Sequence, residues 1–211
     1  MSLYDKVLGL PFVYNHVRPF FVGGIDMAPV YERLGVRPTD TVLDVGCGTG
    51  IALEHLGSFA SYVGVDTDPR ALRAARERRP PPGAGAVEFS AREVGEDDVK
   101  RIAPDVAVLA GLLHHVDDAG SVALLRSLRA SPRLRRVVTQ DITLVPNRRL
   151  NNLFSILDRG QHCRHPGGYE ALARAAGFRV VEGALTPAGR GNQRIVYWVM
   201  TLEPEAPAGR P

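Results

Sequence analysis

Cysteine is scarce in this sequence, and that scarcity limits its covalent and metal chemistry. The 211 residues include two cysteines, Cys47 and Cys163, which lie far apart along the chain. A disulfide framework is not expected from such a pair. Cys163 stands between His162 and His165, but three near-adjacent ligands cannot easily close a zinc tetrahedron. We therefore expect no metal site.

Long apolar runs are also missing. No run approaches the roughly 20 residues that a membrane-spanning helix needs. The first residues do not form a signal peptide, because Asp5 and Lys6 lie near the start and Pro11 and Pro19 interrupt the apolar stretch that follows. We expect a cytoplasmic protein without a membrane span.

Lysine is nearly absent: Lys6 and Lys100 are the two lysines among 26 basic residues. The net charge is +3, and the arginines are spread along the chain. A nucleic-acid partner is therefore not favoured, since such a surface usually gathers its basic residues in one patch. The hydrophobic content of 45% and charged content of 23% are ordinary for one globular domain.

What the sequence does contain is a glycine-rich turn at residues 41–50. An apolar strand with Asp44 inside it leads into Gly46, Gly48 and Gly50. Such a turn lets a ligand lie against bare backbone at the start of a helix, which the sequence predicts at residues 51–56. A dinucleotide fingerprint would need glycine at position 51, where Ile51 stands. The spacing therefore favours a different nucleotide cofactor.

In this form the turn resembles motif I of class I S-adenosylmethionine (SAM)-dependent methyltransferases, and the resemblance continues over roughly residues 37–201. It implies an α/β three-layer sandwich. Its Rossmann-like, seven-stranded, mostly parallel sheet would have the order 3-2-1-4-5-7-6, with the last strand antiparallel. The sequence itself supports this ending, because strands predicted at residues 178–183 and 194–200 are joined without a helix and should form a hairpin.

The resemblance also implies which residues bind SAM, or the product S-adenosylhomocysteine. Asp66 ends the second predicted strand and matches the acid that accepts the ribose hydroxyls. Glu93 follows the third strand and matches an acid at the adenine; the alternative is a solvent-exposed side chain. The full set is Asp44, Gly46, Cys47, Gly48, Gly50, Asp66, Thr67, Glu93, Val94 and Ala110.

His114 and His115 follow the fourth predicted strand and resemble the motif IV loop of the same family. Ligands gather at the carboxyl ends of strands in an open α/β sheet. A histidine there could take a proton from an acceptor hydroxyl or amine, so both are candidate catalytic residues. The alternatives are that one histidine packs on the sheet and holds the loop, or contributes to cofactor packing.

The sequence divides into three predicted segments. Residues 1–36, the most aromatic part of the chain, form either a helical layer on the sheet or a lid over the ligands; a membrane-surface patch is less favoured, because prolines break the apolar face. Residues 37–202 form the SAM-binding domain, and residues 203–211 a disordered tail. The candidate substrate-binding residues are Tyr14, His16 and Arg18 in the lid and Arg164 in a later loop.

The class of methyl acceptor is limited by two family motifs that the sequence lacks. Nucleic-acid amino-methyltransferases carry a Pro-Pro segment after the fourth strand, where this sequence has residues 109–112. Metal-dependent catechol enzymes have an Asp-Asn pair after the next strand, whereas Asp141 is followed by Ile142. We expect in-line transfer of the methyl group to an O, N, S or C atom of a small, fairly apolar metabolite. The alternatives are a non-catalytic SAM-binding protein, a nicotinamide oxidoreductase and an RNA methyltransferase. A homodimer is left open.

Overall fold

A computed structural model describes residues 27–157, 161–189 and 192–206 of the protein. The helices and strands in these ranges alternate along the chain up to a closing hairpin. In chain order they are α1 (Ala28–Leu34), β1 (Thr41–Val45), a 3₁₀ helix (Ile51–Glu54), β2 (Ser61–Asp66), α2 (Pro69–Arg76), β3 (Ala86–Ala91), α3 (Glu96–Ile102), β4 (Val106–Ala110), a second 3₁₀ helix (Leu113–His115), α4 (Asp118–Leu128), β5 (Arg136–Ile142), α5 (Arg149–Leu157), α6 (Pro166–Ala175), β6 (Phe178–Gly189) and β7 (Asn192–Pro204).

The described strands form one seven-stranded sheet in the order β3-β2-β1-β4-β5-β7-β6. The strands from β3 to β5 pair in parallel, whereas β7 is antiparallel to both of its neighbours. The fold predicted from the sequence is therefore confirmed, including the antiparallel last strand and the hairpin that precedes it.

Helices cover both faces of this sheet, and neighbouring residues in a strand face opposite layers. In β5, Val137 packs with α4 and α6, whereas Val138 packs with α1. We call these the α4/α6 face and the α1/α5 face, because Phe154 of α5 packs beside Ile142 on the second one. The sequences of strands that are buried on both faces are nearly continuous apolar runs, and for this reason β1 and β4 were easy to predict.

One local prediction was wrong, and one helix was not predicted at all. The helix expected at residues 51–56 is a 3₁₀ helix over Ile51–Glu54. Six residues between Gly50 and Gly57 leave little room for an α-helix, whose first turn alone is costly to form. Helix α3 was not anticipated, because its one fully buried apolar residue is Val99 and so it shows almost no apolar periodicity.

The boundaries of the predicted segments also differ from those in the structure. Residues 203 and 204, which the sequence placed in a disordered tail, belong to β7 and pair with β6. In the predicted lid, α1 packs on the sheet, and residues 1–26 lie outside the described residues. None of the helices in the described ranges is long and apolar enough to span a membrane.

Candidate functional site

The glycine-rich turn leaves β1 and folds onto the end of β2. Gly46, Gly48 and Gly50 have positive φ angles of 73°, 52° and 70°. Side chains with a β-carbon rarely adopt this left-handed conformation, so the alternating glycines are required by the path of the turn. The backbone amides of Gly46 and Cys47 both donate to the carbonyl of Val65, at 2.8 and 3.0 Å, which fixes the turn to β2.

Asp66 stands at the carboxyl end of β2 and connects two parts of the site. One carboxylate oxygen accepts a hydrogen bond from the Gly48 amide at 2.8 Å, and the other accepts one from the Asp68 amide at 2.8 Å. A carboxylate has about four lone-pair positions. Asp66 is therefore held in place by two amides and keeps positions for further donors, such as ligand hydroxyl groups.

A cleft of about 1390 Å³ opens above the carboxyl ends of β1, β2 and β4. This exceeds the volume of roughly 300–1,000 Å³ that is usual for one small ligand, so a cofactor and an acceptor can lie side by side. Six of the predicted cofactor residues line it: Gly46, Gly48, Asp66, Thr67, Glu93 and Val94. The structure thus brings together residues from three separate loops.

Asp44, Cys47, Gly50 and Ala110 are not among the residues that line this cleft, contrary to the predicted contact set. Asp44 does not line the cleft because neighbouring residues of a strand face opposite sides of the sheet. Val45 faces the cleft, and Asp44 faces the other side. Asp44 is 2% exposed and accepts a hydrogen bond of 2.6 Å from the hydroxyl of Tyr62. Burial raises its pKa to about 7, against the opposing effect of that hydrogen bond.

The two histidines after β4 occupy different environments. His115 is exposed and lines the cleft, whereas His114 is buried beneath it. His114 Nδ1 lies 2.8 Å from Oδ1 of Asp141, and the same oxygen accepts the His114 backbone amide at 3.1 Å. The two imidazole centroids are 4.1 Å apart. The two rings are therefore packed one above the other, with His115 at the cleft and His114 beneath it.

Asp141 was not predicted as a site residue. It is buried at the end of β5, and desolvation raises the pKa of its carboxyl group, although the bond to His114 opposes that effect. Neither Oδ2 of Asp141 nor Nε2 of His114 has a hydrogen-bond partner among the described residues. Two orphaned polar atoms on one buried pair are costly and mark a polar centre beneath the cleft.

Arg164 was predicted to contact the substrate, but in the structure its guanidinium binds backbone carbonyls and a carboxylate of the protein itself. The group donates to the carbonyls of Leu113, Val116 and His162, each at 2.8 Å. Its Nε and Nη2 atoms also contact Asp118 Oδ1 at 2.8 and 2.7 Å. Since a guanidinium has five N–H donors, none remains for a ligand. Arg164 instead holds the loop that carries the two histidines.

The other site predictions concern the lid residues and metal binding. Tyr14, His16 and Arg18 lie outside the described residues. Within the described ranges, no three histidine, cysteine or acidic side chains gather in a way that could hold a metal ion. Arg70, Arg92 and Leu112 also line the cleft, although they were not among the predicted site residues. Arg92 also pairs with Asp98 of α3, the helix that the sequence reasoning missed.

Comparison with known proteins places this chain in a family. A family model described as "Methyltransferase domain" matches residues 25–183, which is most of the chain. The chain therefore belongs to the methyltransferase-domain family, and the predicted resemblance to class I SAM-dependent methyltransferases is confirmed.

Individual relatives agree with this assignment. The chain is 31% identical over 112 residues to an indolepyruvate C-methyltransferase of Streptomyces griseus, a match that covers 50% of this chain and 34% of that protein. It thus spans about a third of the curated relative.

Solved structures of small-molecule methyltransferases share the fold. The 1,6-didemethyltoxoflavin-N1-methyltransferase of Burkholderia thailandensis, with bound S-adenosylhomocysteine, has a TM-score of 0.62 at 20% identity, covering 97% of this chain and 88% of that one. Human N-acetylserotonin methyltransferase in complex with SAM has a TM-score of 0.63 at 18% identity, covering 97% and 63%.

Proposed function

We propose that this protein transfers the methyl group of SAM to a small, fairly apolar acceptor. The observation that carries the proposal is the position of Asp66, which ends β2 inside the cleft and is hydrogen-bonded to the glycine-rich turn. Family membership supports the reaction type. The small-molecule acceptors in the names of the relatives support the class of substrate.

The residues of the cleft fit SAM. A β-carbon built on Gly48 meets no atom within 4 Å, so bare backbone borders open space there, as a closely approaching ligand requires. Asp66 would accept the ribose hydroxyls, while Glu93 and the amide of Val94 would meet the adenine. When bound, SAM supplies an electrophilic methyl group, and the protein's task is to position the acceptor and exclude water.

The histidine loop forms the acceptor side of the proposed site. His115 reaches the cleft and is the residue we assign to accept a proton from the acceptor. His114 is the positioning residue beneath it, held by Asp141 through two contacts to one carboxylate oxygen. Arg164 completes this arrangement by bonding the carbonyls on either side of the histidine pair.

Calorimetric titration with SAM tests the cofactor assignment. Asp66→Ala should weaken binding at least tenfold, because it removes an acceptor worth about 1.5–3 kcal/mol and frees the Gly48 amide. The control is Asp97→Asn, which neutralises a fully exposed acid on α3. Equal SAM affinity in the wild type and the Asp66 variant would overturn the ribose assignment.

The acceptor class needs a transfer assay. Methyl-labelled SAM is incubated with the protein and either a fractionated metabolite extract or an RNA fraction. Label in small molecules supports the proposal, and His115→Ala should then lower kcat by about 10²–10⁴-fold if a proton is transferred. Label in RNA, or SAM binding without any transfer, would contradict it.

A further inference from the structure

The glycine-rich turn is held by two different elements, one for each of its halves. Its first half, residues 46–48, is fixed to β2 through the carbonyl of Val65 and the carboxylate of Asp66. Its second half consists of Thr49 and Gly50, and Thr49 lines the cleft. This second half has no part in the contacts to β2, so its shape depends on another anchor.

Arg78 provides that anchor from outside the cleft. It lies shortly after the end of α2, and its side chain is 24% exposed. Its Nε donates to the carbonyl of Thr49, and its Nη2 donates to the Thr49 hydroxyl at 3.3 Å. Its third nitrogen, Nη1, pairs with Glu54 in the 3₁₀ helix that follows the turn. Arg78 thus connects α2, the turn and the 3₁₀ helix.

The distribution of these donors distinguishes Arg78 from an arginine in a simple surface ion pair. The pair with Glu54 uses Nη1, and exposed pairs of this kind contribute little to folding. Nε and Nη2 both contact Thr49. Because the guanidinium is planar and its donors have fixed directions, it orients the group that it binds. The contact therefore acts on the backbone of the turn.

The peptide unit between Thr49 and Gly50 is held at both of its polar ends. Its carbonyl accepts the hydrogen bond from Arg78, and its amide donates to the carbonyl of Cys47 at 2.9 Å. Rotation of this peptide unit would break both hydrogen bonds, and backbone polar groups are costly to leave without partners. Arg78 therefore favours one backbone shape of the turn.

Helix α2 also packs directly against the last glycine of the turn. A β-carbon at Gly50 would lie 3.1 Å from the β-carbon of Ala75 and 3.2 Å from Cζ of Phe89. The backbone amide of Arg78 donates to the carbonyl of Ala75 at 3.2 Å. The side chain of Arg78 therefore begins from a fixed position beside the turn that it binds.

We propose that Arg78 is a positioning residue for the cofactor, which holds Thr49 and Gly50 in the shape that receives SAM. The inference rests on the proposed binding of SAM in the cleft. Without Arg78, the turn of the free protein would also adopt other shapes. The apparent dissociation constant for SAM would then rise in inverse proportion to the fraction of molecules that remain competent to bind.

Calorimetric titration of the full chain with SAM, well below its unfolding temperature, tests this role. Arg78→Met should raise the dissociation constant about tenfold, as expected if the turn is competent in about a tenth of the molecules. Arg78→Lys keeps the charge but not the planar fork, so its affinity should lie between those of Arg78→Met and the wild type. The matched control is Arg76→Met, because Arg76 donates to the carbonyl of Phe89 at 3.0 Å. This control should bind SAM as the wild type does.

Amide hydrogen exchange distinguishes this role from a general loss of stability. In the ligand-free Arg78→Met variant, the amide of Gly50 should exchange about tenfold faster than in the wild type, because the turn opens locally. Amides of β4 and β5 should keep their wild-type rates, and saturating SAM should restore the protection of Gly50. Equal acceleration at Gly50 and in these strands would overturn the proposal, since it would show a general destabilisation.

The affinities also separate this inference from the proposed function. Equal SAM affinity in the wild type and Arg78→Met would overturn the positioning role and leave the binding of SAM intact. Equal weakening by Arg76→Met would overturn it too, because charge or the packing of α2 would then explain the loss. If Arg78→Met does not fold, wild-type affinity in Arg78→Lys contradicts the proposal. A wild type that does not bind SAM would refute the proposed function and this inference with it.

Discussion

Asp44 should make the stability of this protein decrease as the pH rises toward neutrality. The carboxyl group is buried on the α1/α5 face, where burial raises its pKa from 3.8 to about 7. In the unfolded chain the group regains its ordinary pKa. The folded state thus binds the proton more tightly, and stability from this group is fully present below pH 3.8 and is lost as the pH rises through about 7.

The size of this effect follows from the two pKa values. The difference between 3.8 and about 7, at roughly 1.4 kcal/mol for each pKa unit, corresponds to about 4 kcal/mol of unfolding free energy. The Tyr62 hydroxyl bond of 2.6 Å lowers the pKa and so limits the loss. The nearby charge of Asp66 has the opposite effect.

Urea denaturation of the ligand-free protein between about pH 4 and pH 8 measures this dependence. Asp44→Asn has no titrating group at this position but keeps an oxygen that can accept the Tyr62 hydroxyl. The variant should therefore become more stable relative to the wild type as the pH rises. Tyr62→Phe removes the bond that favours the charged carboxylate, so its loss of stability should extend to higher pH.

A difference in unfolding free energy between Asp44→Asn and the wild type that stays constant over this range would contradict the raised pKa of Asp44. Such a result would mean that Asp44 is already ionised in the folded protein, with its charge compensated in a way that burial does not indicate. A difference that shrinks with rising pH would contradict the sign of the effect and would place the folded pKa below 3.8.

Three further substitutions test the contacts beneath the cleft by urea denaturation. Arg164→Met removes five charge-assisted contacts and should lower the free energy of unfolding by about 3–5 kcal/mol; a loss below about 1 kcal/mol would contradict the network. Tyr169→Phe removes the 2.8 Å bond to the Ile142 carbonyl and should cost about 1 kcal/mol. Gly111→Ala places a β-carbon at φ 75° and should cost about 1–2 kcal/mol, which an unchanged midpoint would refute.

The sheet could be predicted because its signals are local. Strands β1, β2 and β4 are mostly apolar runs. Helices α2 and α4 each begin after an aspartate that caps them, because Asp68 accepts the amide of Arg70 and Asp117 accepts the amide of Gly120. The short 3₁₀ helix at Ile51 and the unexpected α3 lacked such signals. One contains too few residues for a helical repeat, and the other buries one apolar residue completely.

The site could be predicted only where its residues belong to a contiguous motif. The glycine-rich turn and Asp66 are separated by one strand–helix unit, so their meeting follows from the parallel pairing of β1 and β2. Asp141 lies near the end of β5, and His114 lies 27 residues earlier in the 3₁₀ helix that follows β4. Arg164 reaches Leu113 across 51 residues. No spacing rule connects these pairs, and their roles therefore had to be read from the structure.

Three aspartates at the ends of strands show how burial assigns different tasks to one side chain. Asp66 is half-buried and bonded to two amides, and its carboxylate keeps lone-pair positions at the cleft for further donors. Asp44 is buried against a tyrosine, and its carboxyl group favours the proton. Asp141 is equally buried, and desolvation likewise raises its pKa, while the imidazole and amide of His114 oppose that shift. The environment, rather than the residue type, thus separates a carboxylate that faces the cleft, one that packs against a tyrosine and one that contacts a histidine within one edge of the sheet.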